Sequence, residues 1–156
     1  MKRTLGSLTI LLALAVAGSA QAQPPTSETI TMNLSFPNYP STPPYVGQYS
    51  GDFTVSGAIV DAGSISTQAH FAAVPSPSAA VLHTDRTLTS QHGTLSLRCT
   101  EIAESLTDLT AVPGTGTCTV LSATGVYAAL KGSGKVTSIA DLTTGAFTDR
   151  LVLTTA

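Results

Sequence analysis

Two charged residues set in an apolar row are the chain's best candidates for chemistry. Arg86 and Glu101 lie on either side of a turn signal, His92-Gly93, in a stretch where apolar and polar residues alternate. Alternation at period two puts every second side chain on one face of a strand. A two-residue turn at His92-Gly93 would pair Gln91 with Thr94, Leu88 with Leu97 and Arg86 with Cys99. One face then collects Leu82, Thr84, Arg86, Leu88, Leu95, Leu97, Cys99 and Glu101, and the other His83, Asp85, Thr87, Thr89, Thr94, Ser96, Arg98 and Thr100. The first face is the apolar one and is the predicted interior, with Arg86 diagonal to Glu101 and within reach of it. A carboxylate held in an apolar cavity is pushed toward its protonated form and can act as general acid or base, while an arginine can bind an anionic or carbonyl oxygen. Arg86 and Glu101 are therefore the candidate catalytic pair. The plain alternative is a structural ion pair at the rim of the fold. A three-residue turn would reverse the faces and place Asp85 and Arg98 inside instead.

The other reactive residue types are sparse. His70, His83 and His92 show no metal-ligand spacing. There is no G-x-S-x-G elbow, so neither a metalloenzyme nor a hydrolase is expected, and no cofactor motif is present. Gly132-Ser133-Gly134-Lys135 is not a phosphate loop, because Ala129 stands where the first glycine should be and Val136 where serine or threonine should follow. Asn33-Leu34-Ser35 matches a glycosylation sequon but falls in a predicted strand. Tyr45, in a proline-rich loop, His70, beside Phe71 in a strand, and Tyr127 are the candidate binding residues. Cys99 and Cys118 read as one disulfide if the protein is exported. A free catalytic thiol beside a base is the alternative.

Export is what the first residues imply. Lys2 and Arg3 precede a mostly apolar run at 5–18, and Ala20-Gln21-Ala22 forms an A-x-A cleavage site. The run is too short to span a bilayer, so 1–22 is a predicted secretory signal peptide and 23–156 a single domain, secreted or periplasmic. Losing Lys2 and Arg3 takes the formal net charge from −2 to −4. The five basic residues that remain, Arg86, Arg98, Lys131, Lys135 and Arg150, are scattered and make no nucleic-acid footprint.

Positioning these residues falls to strands. Residues 28–36 place Ile30, Met32, Leu34 and Phe36 at strict period two. Residues 37–45 carry four prolines and form a loop. Further strands are predicted at 49–61 with a bend or bulge at Gly57, at 64–74 after an Ala62-Gly63 turn, and at 80–90, 94–103, 116–123, 134–142 and 146–154. Residues 104–115, with Pro113-Gly114, make a longer connection. No helical period of useful length occurs. The predicted class is all-β, an eight-stranded antiparallel up-and-down β-barrel with little helix. Closure would also remove edges that a chain with only a tenth of its residues charged guards poorly.

The stretch between the sixth and seventh strands is the most tightly specified. Thr124-Gly125-Val126-Tyr127, then Leu130 and Gly132-Ser133-Gly134, resembles the G-T-G-x-Y-x-x-x-x-G-x-G signature of the allene oxide cyclase barrel-like superfamily, with Ala123 in place of its first glycine. That grouping takes in plant dirigent proteins and small secreted bacterial proteins. On the residues alone, Gly125 allows a sharp reversal, and residues 126–130 allow one helical turn that packs Tyr127 and Leu130 on the core. Gly132 and Gly134 then let the chain re-enter the sheet. Three functions are left to separate. The first is a secreted barrel that binds a small apolar ligand in its lumen or at its mouth. The second, implied by the resemblance, is a cyclase, isomerase or dirigent-type protein that steers a reactive intermediate by confinement. The third is a non-catalytic structural or interaction module of the cell surface. The resemblance also implies a homotrimer.

Overall fold

The computed structural model describes residues 26–36, 46–71, 80–103, 105 and 107–154. They form eight antiparallel strands: β1 (Ser27–Ser35), β2 (Val46–Ser56), β3 (Asp61–Phe71), β4 (Ala80–Thr89), β5 (Thr94–Ala103), β6 (Val112–Ala123), β7 (Ser133–Asp141) and β8 (Ala146–Thr154). Each pairs with the next, and β8 returns to β1 from Ser27↔Thr154 to Ser35↔Ala146, closing the barrel. The alternation predicted from the sequence is what closes it. Ile30, Met32, Leu34, Phe53, Val55, Ile65, Leu88, Leu95, Leu97, Val136, Leu151 and Leu153 all point inward and are buried. Burying each such side chain contributes roughly 1.5–3 kcal/mol. The outward rows carry polar groups, as in Thr29, Thr31 and Asn33 of β1 and Asp85 and Arg98 of β4 and β5. That pattern is the reverse of the apolar outer band of a membrane barrel. Among the described residues no helix is long and apolar enough to cross a membrane.

Three boundaries differ from the sequence reading, each for a local reason. The β2–β3 turn is residues 57–60, not Ala62-Gly63, which lie inside β3. Gly57 adopts φ 144°, and the buried Glu28 carboxylate accepts the next two N–H groups, from Ala58 (3.2 Å) and Ile59 (3.0 Å), so β2 ends there. The β4–β5 connection is four residues, 90–93, with Thr89↔Thr94 as the last pair, so Arg86 lies opposite Leu97 rather than Cys99. A shift of two leaves every residue on its predicted face. The reversed arrangement is excluded, because Asp85 and Arg98 pair outside on the surface, Nε to Oδ1 at 2.8 Å. Finally, β6 begins at Val112 and takes in Pro113, which pairs with Ile139 of β7 one residue beyond the last β5 partner, Gly114.

Cys99 and Cys118 sit directly opposite one another on β5 and β6 and form an interior disulfide. Tying a loop of this length restricts the unfolded chain, which contributes about 3 kcal/mol. Above it, β6 carries a bulge: Ser96 pairs with Ser122 and Leu97 with Val120, which leaves Leu121 outside. The bulge brings Ala123 partly inward and leads into Gly125, whose φ of 59° and 3₁₀ turn (Gly125–Tyr127) deliver Tyr127 and Leu130, both buried, onto the core. A Cβ on Gly125 would fall 1.9 Å from the His92 carbonyl oxygen, so glycine is needed there twice over. Among the described residues no non-glycine residue has positive φ, so alanine at 123 costs the fold nothing.

Candidate functional site

The two ends of the barrel are built differently. At one end lie the 57–60 and 90–93 turns and the segment 124–132. Tyr127, Leu130, Phe53, Leu88 and Leu95 fill the lumen there. At the other end lie residues 107–111 and the 142–145 turn. It is also the end at which β1 and β3 finish and β2 and β4 begin. Here a cavity of about 180 Å³ opens, lined by Leu34, Tyr49, Leu82, Val112, Ala140 and Phe147 among others. Its floor is polar: Thr67, Thr84, Arg86, Glu101 and Asp149.

Arg86 is the centre of that floor. It lies on β4 between Thr84 and Leu88 and is 2% exposed. One terminal nitrogen, Nη2, donates to Glu101 Oε1 on β5. The other, Nη1, donates to Asp149 Oδ2 on β8 at 2.7 Å and contacts Met32 Sδ at 3.6 Å. Nε donates to Thr84 Oγ1 at 3.0 Å. Glu101 is four residues along β5 from Leu97, the partner of Arg86, so the guanidinium reaches it by lying along the barrel axis toward the mouth. Two carboxylates thus share one cation in a nearly dry site. Burial pushes the Glu101 carboxyl up to about 7, with the neighbouring Asp149 charge adding to the rise and Arg86 opposing it. Burial also raises Asp149, again against Arg86. Near neutral pH the Glu101 carboxyl is therefore poised to exchange its proton, beside a second acid raised in the same direction. Such a group can give or take a proton from a molecule in the cavity.

The closed end also holds a carboxylate, with the opposite surroundings. Asp61 accepts hydrogen bonds from the Tyr127 hydroxyl (2.5 Å), His92 Nδ1 (3.0 Å), the Ser90 hydroxyl (2.7 Å) and the Ala62 N–H (2.9 Å). These donors, Tyr127 first, hold its carboxyl well below the usual carboxylate range, while burial and the Asp61 bond push the Tyr127 phenol up to about 12. Serine, histidine and aspartate meet here, but not as a nucleophilic triad. The Ser90 hydroxyl donates to Asp61, a carboxylate made a poor base by its other donors, and accepts the His92 backbone N–H at 2.9 Å. The His92 ring bonds Asp61 and not the serine. The cluster ties the 90–93 turn to β3 and to the 3₁₀ turn.

Of the residues singled out from the sequence, Arg86 and Glu101 are brought together as expected. Cys99 and Cys118 are bonded to each other, and among the described residues no cysteine is free. His70 faces outward opposite His83 and is not among the residues lining the cavity. Tyr127 is likewise no cavity residue, since its ring and hydroxyl belong to the closed end. Tyr45 lies outside the described residues. Asp149 and Thr67 were missed, although the signal was there. Asp149 falls in the inward row Phe147, Asp149, Leu151, Leu153, and Thr67 in the row Ile65, Thr67, Ala69. No group of three or more metal-ligating side chains occurs among the described residues.

No family model matches the chain, and neither does any curated protein or solved structure. What it does must be argued from the barrel itself.

Proposed function

We propose that this barrel is a secreted or periplasmic binding protein for a small apolar molecule, which enters the open end and rests on the Arg86–Glu101–Asp149 floor. One observation carries the reading: side chains fill one end of the lumen, while the other end holds a cavity of about 180 Å³ with an apolar wall and a polar base. Concave, mostly apolar sites with a few convergent polar groups are how proteins hold small ligands. The size limits the guest, since a protein cavity of about 150 Å³ takes benzene. A one-ring or short-chain molecule fits. An interior disulfide accords with an oxidising compartment.

A cyclase, isomerase or dirigent-type activity is the second reading, favoured by Glu101, whose proton is exchangeable near neutral pH in a confined apolar space. The resemblance of residues 123–134 to the allene oxide cyclase barrel-like signature supports the same reading and carries with it the proposal of a homotrimer. An open lumen supports these two readings over a purely structural module. Native mass spectrometry of the protein purified from an exporting host tests them. The expected result is a retained small molecule that is lost in Ala103→Phe, a change that fills the mouth without touching the charged floor. An unliganded protein whose spectrum and ligand response are the same in both forms would sink the binding reading. Under the second reading Glu101→Gln is expected to abolish turnover, and full activity in that variant would remove Glu101 from the chemistry.

A further inference from the structure

The binding reading leaves open what head group the guest carries, and the valences at the cavity floor answer that. Arg86 is engaged on three sides by the barrel's own atoms: Nε by Thr84, Nη1 by Asp149 and Met32, Nη2 by Glu101. Glu101 receives Arg86 and is further held by the Ser138 hydroxyl. Two buried oxygens that line the cavity have no hydrogen-bond partner, Oδ1 of Asp149 and Oγ1 of Thr67. Asp149 is 3% exposed at its side chain, so water cannot fully satisfy it from outside. Buried acceptors of this kind are uncommon and costly to leave unpaired. The charge count points the same way. One guanidinium faces two carboxylates, so the fully ionised floor carries one excess negative charge.

Resting on that reading, we propose that the cavity selects an apolar molecule of one-ring or short-chain size whose head group donates a hydrogen bond to Asp149 Oδ1, an alcohol or a primary ammonium, and that it rejects the carboxylate of the same size. An apolar carboxylate would bring another anion to a floor that already has one too many, and it would find four of the arginine's five N–H groups engaged. The expectation that Arg86 serves as an anion-binding group is thereby reversed: its role is to hold Asp149 with one oxygen turned free. An ammonium supplies the positive charge that the floor otherwise draws from a proton, and an alcohol leaves the floor's protonation where it is.

Titration calorimetry on the purified protein with four probes of one size, benzyl alcohol, benzylamine, benzoate and toluene, tests this at pH 6 and pH 8. Both donor probes are expected to bind at least about tenfold tighter than toluene and benzoate, a difference of about 1.4 kcal/mol. The benzylamine advantage should grow from pH 6 to pH 8 as the floor gives up its proton, while that of benzyl alcohol should not. Asp149→Asn should shrink the preference for the ammonium over benzoate. The wild-type series decides the matter even if that variant fails to fold. Benzoate or toluene binding as tightly as the donor probes would overturn this inference and leave the binding reading intact. If none of the four binds, both fall.

Discussion

The closed and open ends of this barrel solve one problem, the buried carboxylate, in opposite ways. At the closed end Glu28 takes two backbone N–H groups and Asp61 takes four donors, so each charge is met by groups that cost nothing extra to hold there. At the open end Glu101 and Asp149 must share Arg86, and one oxygen of Asp149 has no partner. A satisfied carboxylate locks turns together, and Asp61 is held ionised as it does so. An under-satisfied one keeps a proton and an open valence, which is what a ligand site requires. The contrast teaches that the fold alone did not force the open arrangement, because the same barrel shows how its carboxylates can be fully satisfied.

The largest expected effect is at the open end. Arg86→Ala would leave two buried carboxylates without their cation and should destabilise the barrel by about 3–5 kcal/mol. Denaturant unfolding checks this, and part of the loss should return at low pH, where both acids are neutral. A loss that is the same at pH 4 and pH 8 would remove the electrostatic reason for it.

Next comes pH itself. Because the folded Glu101 pKa, about 7, lies above its ordinary value of 4.5, the native state holds the proton more tightly than the unfolded chain. Its contribution is therefore fully present below about pH 4.5 and is lost as pH rises through 7, up to about 3 kcal/mol. The Tm should fall by roughly 5–10 °C from pH 5 to pH 8. Glu101→Gln should flatten that slope. Asp61 acts with the opposite sign: its depressed pKa gives stability above the ordinary aspartate range that disappears only in acid, outside this window.

Smaller effects sharpen the comparison. Tyr127→Phe removes one donor from the closed-end carboxylate and should cost about 1–2 kcal/mol, with no pH dependence between 5 and 8. At the open end Thr67→Val deletes an oxygen that has no partner while keeping the side-chain shape. It should be neutral or stabilising by up to about 1 kcal/mol, read as an unchanged or raised Tm. A clear loss in Thr67→Val would mean that the hydroxyl is satisfied after all.

Much of this arrangement was legible in the chain because strand alternation is a local signal. Arg86 and Glu101 could be placed on the inner face without knowing the register, since slipping a hairpin by two residues changes partners but not faces. The exact pairing was not legible, because it goes with a four-residue connection in which Gly93 packs against the Thr124 carbonyl, just beyond β6 and distant in sequence. Where β2 ends was hidden for a similar reason: Glu28, distant in sequence, captures the Ala58 and Ile59 N–H groups. The Gly125 turn could be read from its glycines and from Tyr127 and Leu130. Its contact with Asp61 could not, since nothing near Asp61 announces a tyrosine 66 positions away. Asp149 was readable in its inward row, but only closure of β8 onto β1 brings that row round to face Arg86.

The most direct test is a carbon-13 NMR titration of the side-chain carboxyl groups in the folded protein. Glu101 is expected to titrate near 7, and Asp61 to stay ionised to the lowest pH at which the barrel survives. Addition of a bound ammonium probe should then lower the Glu101 midpoint and leave Asp61 unmoved. A Glu101 carboxyl that titrates at its ordinary 4.5, with or without the probe, would contradict the claim that the open end is held under-satisfied for a ligand.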